Sequence, residues 1–180
     1  LITFATVSGD KLGGDLYSFV VLRNILSSGW HSRISQRLRV KEGLIYSWGA
    51  GQERFLDTGA FTLSIPTAKE KTGKVLAILS EELRKVKNEP VSKDELDLAK
   101  GYIEGVNLRS HETSGDYLDW WAKEELLWPE QSETVEEFIS KIKKVSSEDI
   151  QILANKYLTK ENWQLALVGD VKRKDINIEL

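Results

Sequence analysis

The sequence predicts a two-layer α+β domain, a mostly antiparallel sheet with helices covering one face. Three observations lead there. The chain reads as β-α-α-β-β-α-α-α-α-α-β, with strands too few and too unevenly spaced for a doubly wound parallel sheet. Two strands follow one another across a short polar turn, the arrangement of an antiparallel hairpin. The 180 residues, 41% hydrophobic and 29% charged, have an ordinary globular balance. They suffice for a substantial core, so residues 1–180 are read as a single domain.

The first strand is Leu1 to Val7, apolar and β-branched. Gly13-Gly14 breaks it, and Asp15 is placed to N-cap a helix from Leu16 to Ser28. Leu16, Phe19, Val20, Leu22, Ile25 and Leu26 cover more than one stripe of that helix, which implies burial on two sides. Gly29 stands at its C-cap. A short helix follows from Ser32 to about Lys41, with Ile34 and Leu38 on one face and Gly43 beyond its end. Leu44 to Gln52 and Thr58 to Ile65 are the hairpin strands, joined by Glu53-Arg54-Phe55-Leu56-Asp57. In the second, Phe61, Leu63 and Ile65 alternate with Ala60, Thr62 and Ser64.

Pro66 closes that strand, and Thr67-Ala68-Lys69-Glu70 has the capping-box pattern. The helix it would open carries Val75, Leu76, Leu79, Leu83 and Val86 and stops at Pro90. Ser92-Lys93-Asp94-Glu95 opens a long helix marked by Leu96, Ala99, Ile103 and Val106. It breaks around Thr113 to Gly115 and resumes through Leu118, Trp121 and Leu126 until Pro129. Two amphipathic helices, Thr134 to Lys144 and Ser147 to Tyr157, precede a last strand from Trp163 to Val168.

The net charge is −3, from 25 basic and 28 acidic residues spread along the chain, so no basic face for nucleic acid is expected. With no cysteine, disulfides, thiolate catalysis and thiolate-bound metals are ruled out. No apolar run approaches the roughly 18 to 20 residues of a membrane helix. There is no signal peptide pattern, no methionine, and the chain opens inside a strand, so it is read as a piece of a longer protein. Its compartment stays open.

The only histidines are His31 and His111. His111-Glu112 begins like H-E-x-x-H, but position 115 is Gly115, and the inverted H-x-x-E-H fails at both histidines. Val7-Ser8-Gly9 lacks the leading glycine of a G-x-S-x-G elbow. Gly9, Gly13 and Gly14 form neither a dinucleotide nor a phosphate loop. The six tryptophans, Trp120-Trp121 among them, are assigned to the core or a partner interface. Composition and spacing therefore reach an α+β domain without a self-sufficient active site.

Four stretches say more. Ile25 to Ser47 runs from Leu26-Ser27-Ser28-Gly29 through Ser32-Arg33-Ile34 and Arg39 to Gly43-Leu44-Ile45-Tyr46-Ser47. Asp57-Thr58-Gly59-Ala60-Phe61, Val91-Ser92-Lys93-Asp94-Glu95-Leu96 and Leu167-Val168-Gly169-Asp170 follow in order. Together, over essentially the whole chain, they resemble landmarks of the insulinase and pitrilysin superfamily of zinc metallopeptidases, which includes the mitochondrial processing peptidase. The resemblance implies the zinc-free C-terminal half. In that family two homologous halves, fused or separate, close around a chamber. One carries H-x-x-E-H, zinc, a metal-bound water as nucleophile and the motif's Glu as general base. The other commonly keeps an Arg and a Tyr, seven apart, that reach the bound peptide, and Arg39 and Tyr46 hold that spacing.

The function so implied is a non-catalytic, substrate-binding half that processes or degrades peptides only with a zinc-bearing partner half, in the same chain or a separate subunit. No catalytic residue, no metal ligand and no cofactor falls to this chain; zinc is expected in the partner. The alternative is a structural or assembly subunit that keeps the fold without peptidase activity. The residue chemistry suits the first reading. A guanidinium is a rigid fork of donors for peptide carbonyls or a carboxylate. A phenol can donate to a carbonyl or a developing oxyanion, and Gly43 permits the turn between them. From spacing alone, Arg39 equally suits a helix C-terminal cap and Tyr46 an ordinary strand position. Arg37 lies nine before Tyr46 and misses the family spacing.

Overall fold

Alternation of apolar and polar residues at period two builds the sheet, and its two faces differ accordingly. The computed structural model describes residues 1–8, 14–55 and 58–170, with the backbone alone at Arg54. Strands β1 (Ile2–Ser8), β2 (Gly49–Arg54), β3 (Gly59–Ile65) and β4 (Trp163–Leu167) form one sheet in the order β2-β3-β1-β4. Every pairing is antiparallel, with Ile2 opposite both Ile65 and Leu167. Ile2 and Phe4 of β1, Phe61, Leu63 and Ile65 of β3 and Trp163 of β4 are buried. The Phe4 and Trp163 rings meet edge to face at 5.3 Å. The opposite face is polar and wetter, and the hydroxyls of Thr3 and Ser64 share a hydrogen bond there at 3.1 Å. The predicted two-layer α+β architecture is the observed one.

The helices are α1 (Leu16–Ser27), α2 (Thr72–Asn88), α3 (Lys93–Arg109), α4 (Ser114–Leu127), α5 (Val135–Lys144) and α6 (Ser147–Tyr157), with α1 and α6 packed directly on the sheet. The two-sided burial expected of α1 is seen, since it lies on the sheet and packs against α3, α5 and α6. Phe19 sits 6.3 Å from Phe61 below and 4.8 Å from Tyr157 above. Each such fully buried side chain contributes about 1.5–3 kcal/mol relative to exposure. Asp15 precedes α1 without a side-chain cap bond. Its carboxylate instead accepts from Lys156 Nζ at 2.7 Å and Tyr157 Oη at 2.8 Å, fastening α1 to the end of α6. Complete capping boxes open α4, α5 and α6, at Thr113–Asp116, Thr134–Glu137 and Ser146–Asp149.

Three local expectations are corrected. The strand expected from Leu44 begins only at Gly49, because Leu44 and Ile45 are buried under an irregular segment rather than paired in the sheet. Thr67 does not cap a helix. A short 3₁₀ turn, Lys69–Lys71, intervenes before α2, and the Thr67 hydroxyl donates to the Leu44 carbonyl at 3.3 Å. The helix expected from Ser32 becomes a π-helical turn over Ser35–Lys41. Gly13 and the Leu56-Asp57 part of the hairpin turn lie outside the described residues.

Candidate functional site

Three arginines, Arg33, Arg37 and Arg39, leave the helical stretch before Gly43, and the structure treats them differently. Arg33 and Arg37 are four apart and face acidic helices. Arg33 grips Glu95 of α3 in a two-pronged ion pair, Nε to Oε1 at 2.6 Å and Nη2 to Oε2 at 2.9 Å. Glu95 holds the Arg33 guanidinium more firmly charged than usual. Because its carboxylate is taken, Ser92 caps α3 by accepting from Glu95 N without the reciprocal half of a box. Arg37 reaches Glu42 at 3.4 Å and Glu81 of α2 at 3.2 Å. Arg39 has no carboxylate partner among the described residues.

Arg39 is instead stacked among aromatic rings. Its guanidinium carbon lies 4.4 Å from the Trp30 ring centre, 4.9 Å from Tyr46 and 5.8 Å from Trp48. Its Nη1 donates to the Tyr46 carbonyl oxygen at 2.9 Å, so it caps the following loop rather than a helix end. Arg39 and Tyr46, paired in the sequence by spacing, are thus brought together in space.

The loop that carries Tyr46 is held at both ends and in the middle. The π-helical turn closes through a Leu44 N–H bond to the Leu38 carbonyl at 2.8 Å, with Gly43 at φ +59° supplying the left-handed step. Lys71 Nζ donates to the Gly43 carbonyl at 3.0 Å, and Trp48 Nε1 to the Ser27 carbonyl at 2.7 Å. With Leu44 and Ile45 buried, the backbone is fixed and Tyr46 is left 82% exposed. The exposed Tyr46 phenol stands on a clamped loop beside the half-buried Arg39 guanidinium, and both are presented to a ligand. π-Helical turns of this kind concentrate at functional sites.

Trp30 and Trp48 were not singled out by sequence, where tryptophans read only as core or interface. The available signal was Trp30 directly after the helix-ending Gly29, in an otherwise polar stretch. Trp30 also lines a groove of about 1220 Å³ between the end of α1 and α3, together with Gly29, His31, Asp94, Leu98 and Tyr102. His111 is elsewhere, its ring 5.1 Å from Trp120 and 5.5 Å from Tyr117. The two histidines do not meet. Among the described residues no group of three or more His, Cys, Asp or Glu could hold a metal ion. No described helix is long and apolar enough to cross a membrane.

The family model of the peptidase M16 inactive domain matches residues 2–102, a stretch that contains the whole Arg39–Tyr46 arrangement. The chain belongs to this family. An uncharacterized zinc protease of Streptomyces coelicolor is 30% identical over 154 residues, 86% of this chain and 33% of that protein. The chain thus spans about a third of that relative's length. The peptidase M16 inactive domain from Pseudomonas fluorescens superposes with a TM-score of 0.79 at 19% identity, over 91% of this chain and 39% of that one. An inactive peptidase domain from Bordetella parapertussis gives 0.77 at 14% identity, covering 92% of this chain and 89% of that one. At such identities the likeness is one of fold.

Proposed function

We propose that this M16 inactive domain holds peptide substrate for a zinc endopeptidase whose other half carries the metal, the activated water and the general base. One observation carries the reading: Arg39, alone among the three arginines of its segment, has no carboxylate partner among the described residues and is presented beside the exposed Tyr46 phenol. A guanidinium has five N–H donors. One is used on the Tyr46 carbonyl, and the rest suit peptide carbonyls or a terminal carboxylate. The Trp30 and Tyr46 rings orient the guanidinium plane and shield it from water, which strengthens such bonds. The Tyr46 hydroxyl can donate to a peptide carbonyl, and the gain is largest as charge develops on that oxygen during attack.

The test uses the assembled peptidase, this domain together with its zinc-bearing half. Arg39→Ala and Tyr46→Phe are each expected to lower kcat/KM about 10- to 100-fold, roughly 1.4–2.7 kcal/mol of transition-state stabilisation. Both variants should keep the wild-type circular dichroism spectrum and cooperative melting. Unchanged turnover in both would point to an assembly role instead. Loss of fold in both would remove the basis for a binding role.

A further inference from the structure

We infer that the groove between Trp30 and α3 is a subsite for the same peptide and receives a lysine or arginine side chain next to the segment held by Arg39 and Tyr46. The inference rests on the substrate-holding reading above and adds the chemistry of the substrate.

Continuity comes first. Trp30 is a shared wall: one part of its ring lies over Arg39 at 4.4 Å, and the residue also lines the groove. A peptide lying along the domain past Arg39 therefore meets this groove next. At about 1220 Å³ the groove exceeds the roughly 300–1,000 Å³ of typical ligand pockets, so it has room for a long side chain and its flanking backbone. Gly29 ends α1 at φ +71°, and a Cβ there would stand 3.4 Å from the Tyr102 ring.

The walls have the right character for a basic side chain and the wrong one for an acidic or purely apolar one. Trp30, Leu98 and Tyr102 are large, apolar and about half exposed, a lining suited to the methylene stem of lysine or arginine. Trp30 and Tyr102 also offer ring faces to its cationic head. Asp94 and Asp97 stand on the same rim, in the first turns of α3. Asp94 accepts no side-chain hydrogen bond among the described residues. Asp97 is paired with Lys93 at 2.6 Å, with the lysine and aspartate side chains 86% and 56% exposed. An ion pair that open to water is weak and readily exchanged for a ligand's charge. Of the cations nearby, Arg33 is paired with Glu95, and Lys100, which also acts on Asp97, donates to the Lys143 carbonyl of α5 at 2.9 Å. The domain thus shows, among the described residues, a guanidinium without a carboxylate partner at Arg39, and an unpaired Asp94 carboxylate beside the weakly paired Asp97 on the groove that Trp30 also lines. A peptide spanning both would place carbonyls or a carboxylate at one end and a basic side chain at the other.

The experiment measures fluorescence anisotropy of the full chain with three labelled 12-residue peptides, identical except for Lys, Gln or Glu at one central position. The lysine peptide is expected to bind about tenfold more tightly than the glutamine peptide, and the glutamate peptide most weakly. The double variant Asp94→Asn/Asp97→Asn should bring the Lys-to-Gln ratio close to one. Both aspartates are exposed, so the fold is not at risk. Arg39→Ala should weaken all three peptides alike and keep the ratio. A wild-type ratio near one, or a ratio that survives the double variant, overturns the subsite. An Arg39→Ala variant that binds normally while the ratio persists overturns the Arg39 grip and leaves the acidic groove standing. Self-association of the chain that Trp30→Ala abolishes would overturn the subsite in favour of a second copy as occupant.

Discussion

Replacing Glu95 by Gln removes one charge from the pair that pins the Arg39-bearing segment to α3. The two bonds, at 2.6 and 2.9 Å, use matched edges of guanidinium and carboxylate, with side chains only 16% and 26% exposed. An exposed ion pair contributes about 0–1 kcal/mol. Breaking a fully buried one costs about 3–5 kcal/mol, because a charge is left without compensation. This pair lies between those limits, and Gln retains one acceptor for one of the two bonds. The expected loss is therefore about 2 kcal/mol, which for a domain of this size lowers Tm by roughly 4–8 °C. Urea and thermal unfolding followed by circular dichroism would measure it. Asp94→Asn, one residue away on the exposed rim, is the control and should stay within about 0.5 kcal/mol of wild type. A Glu95→Gln variant as stable as wild type, or an equal loss in both variants, would refute the assignment of Glu95 as the anchor.

Two further outcomes follow from the same geometry. Gly43→Ala forces φ +59° on an L side chain in open surroundings, so it should cost about 1–2 kcal/mol by strain alone; it should also weaken peptide binding, read by the same anisotropy assay, because the Tyr46 loop must re-form. Stability should be flat from about pH 5 to 9 and fall on both sides. The carboxyls of Glu42, Glu81 and Asp97 are held below their usual range by hydrogen bonds from Lys74, Lys85 and Lys93, and that of Asp116 by the Thr113 hydroxyl. Folded values below unfolded ones stabilise above about pH 4, and that contribution is lost as pH falls through the depressed values. Lys85, Lys93 and Lys156 are raised by their carboxylates, and Tyr17 and Tyr157 mainly by burial. Their contribution is complete below the unfolded values near 10 and lost as pH rises through the raised ones. Melting temperature against pH at low and high salt checks both limbs; because most of these groups are exposed, salt should flatten the acid limb.

Much of the fold was legible because it rests on local periodicity. Phe61, Leu63 and Ile65 alternate in the sequence and are the buried face of β3, and Ser92 caps α3 through Glu95 N, three residues on, as its pattern predicts. The misreadings arose where a residue's partner is distant. Leu44 and Ile45 look like strand because they are apolar and β-rich, yet they are buried by loop packing. Thr67 looks like a cap, yet the Leu44 carbonyl takes its hydroxyl. The π-helical widening before Gly43 depends on the Leu44 to Leu38 closure, for which the sequence carries no separate mark.

At the site, the spacing of Arg39 and Tyr46 was readable, whereas the rings of Trp30 and Trp48 around the guanidinium were not. Arg33 and Arg37, four apart, already share one helical face, and Arg39 falls off it. That pattern separates the two structural arginines from the third, but only the positions of Glu95 on α3 and Glu81 on α2 show why it matters.

Contact between Tyr46 and peptide is best tested by photo-crosslinking. A benzophenone amino acid replaces Tyr46 in the assembled peptidase, with a chelator present so that substrate stays intact. The same group at Leu126, 80% exposed on α4 and outside both the loop and the groove, serves as control. Irradiation with substrate peptide should give an adduct that mass spectrometry maps to position 46 and that excess unlabelled peptide suppresses, with none at 126. No adduct at 46, or equal labelling at both positions, would contradict a substrate-holding role for this domain.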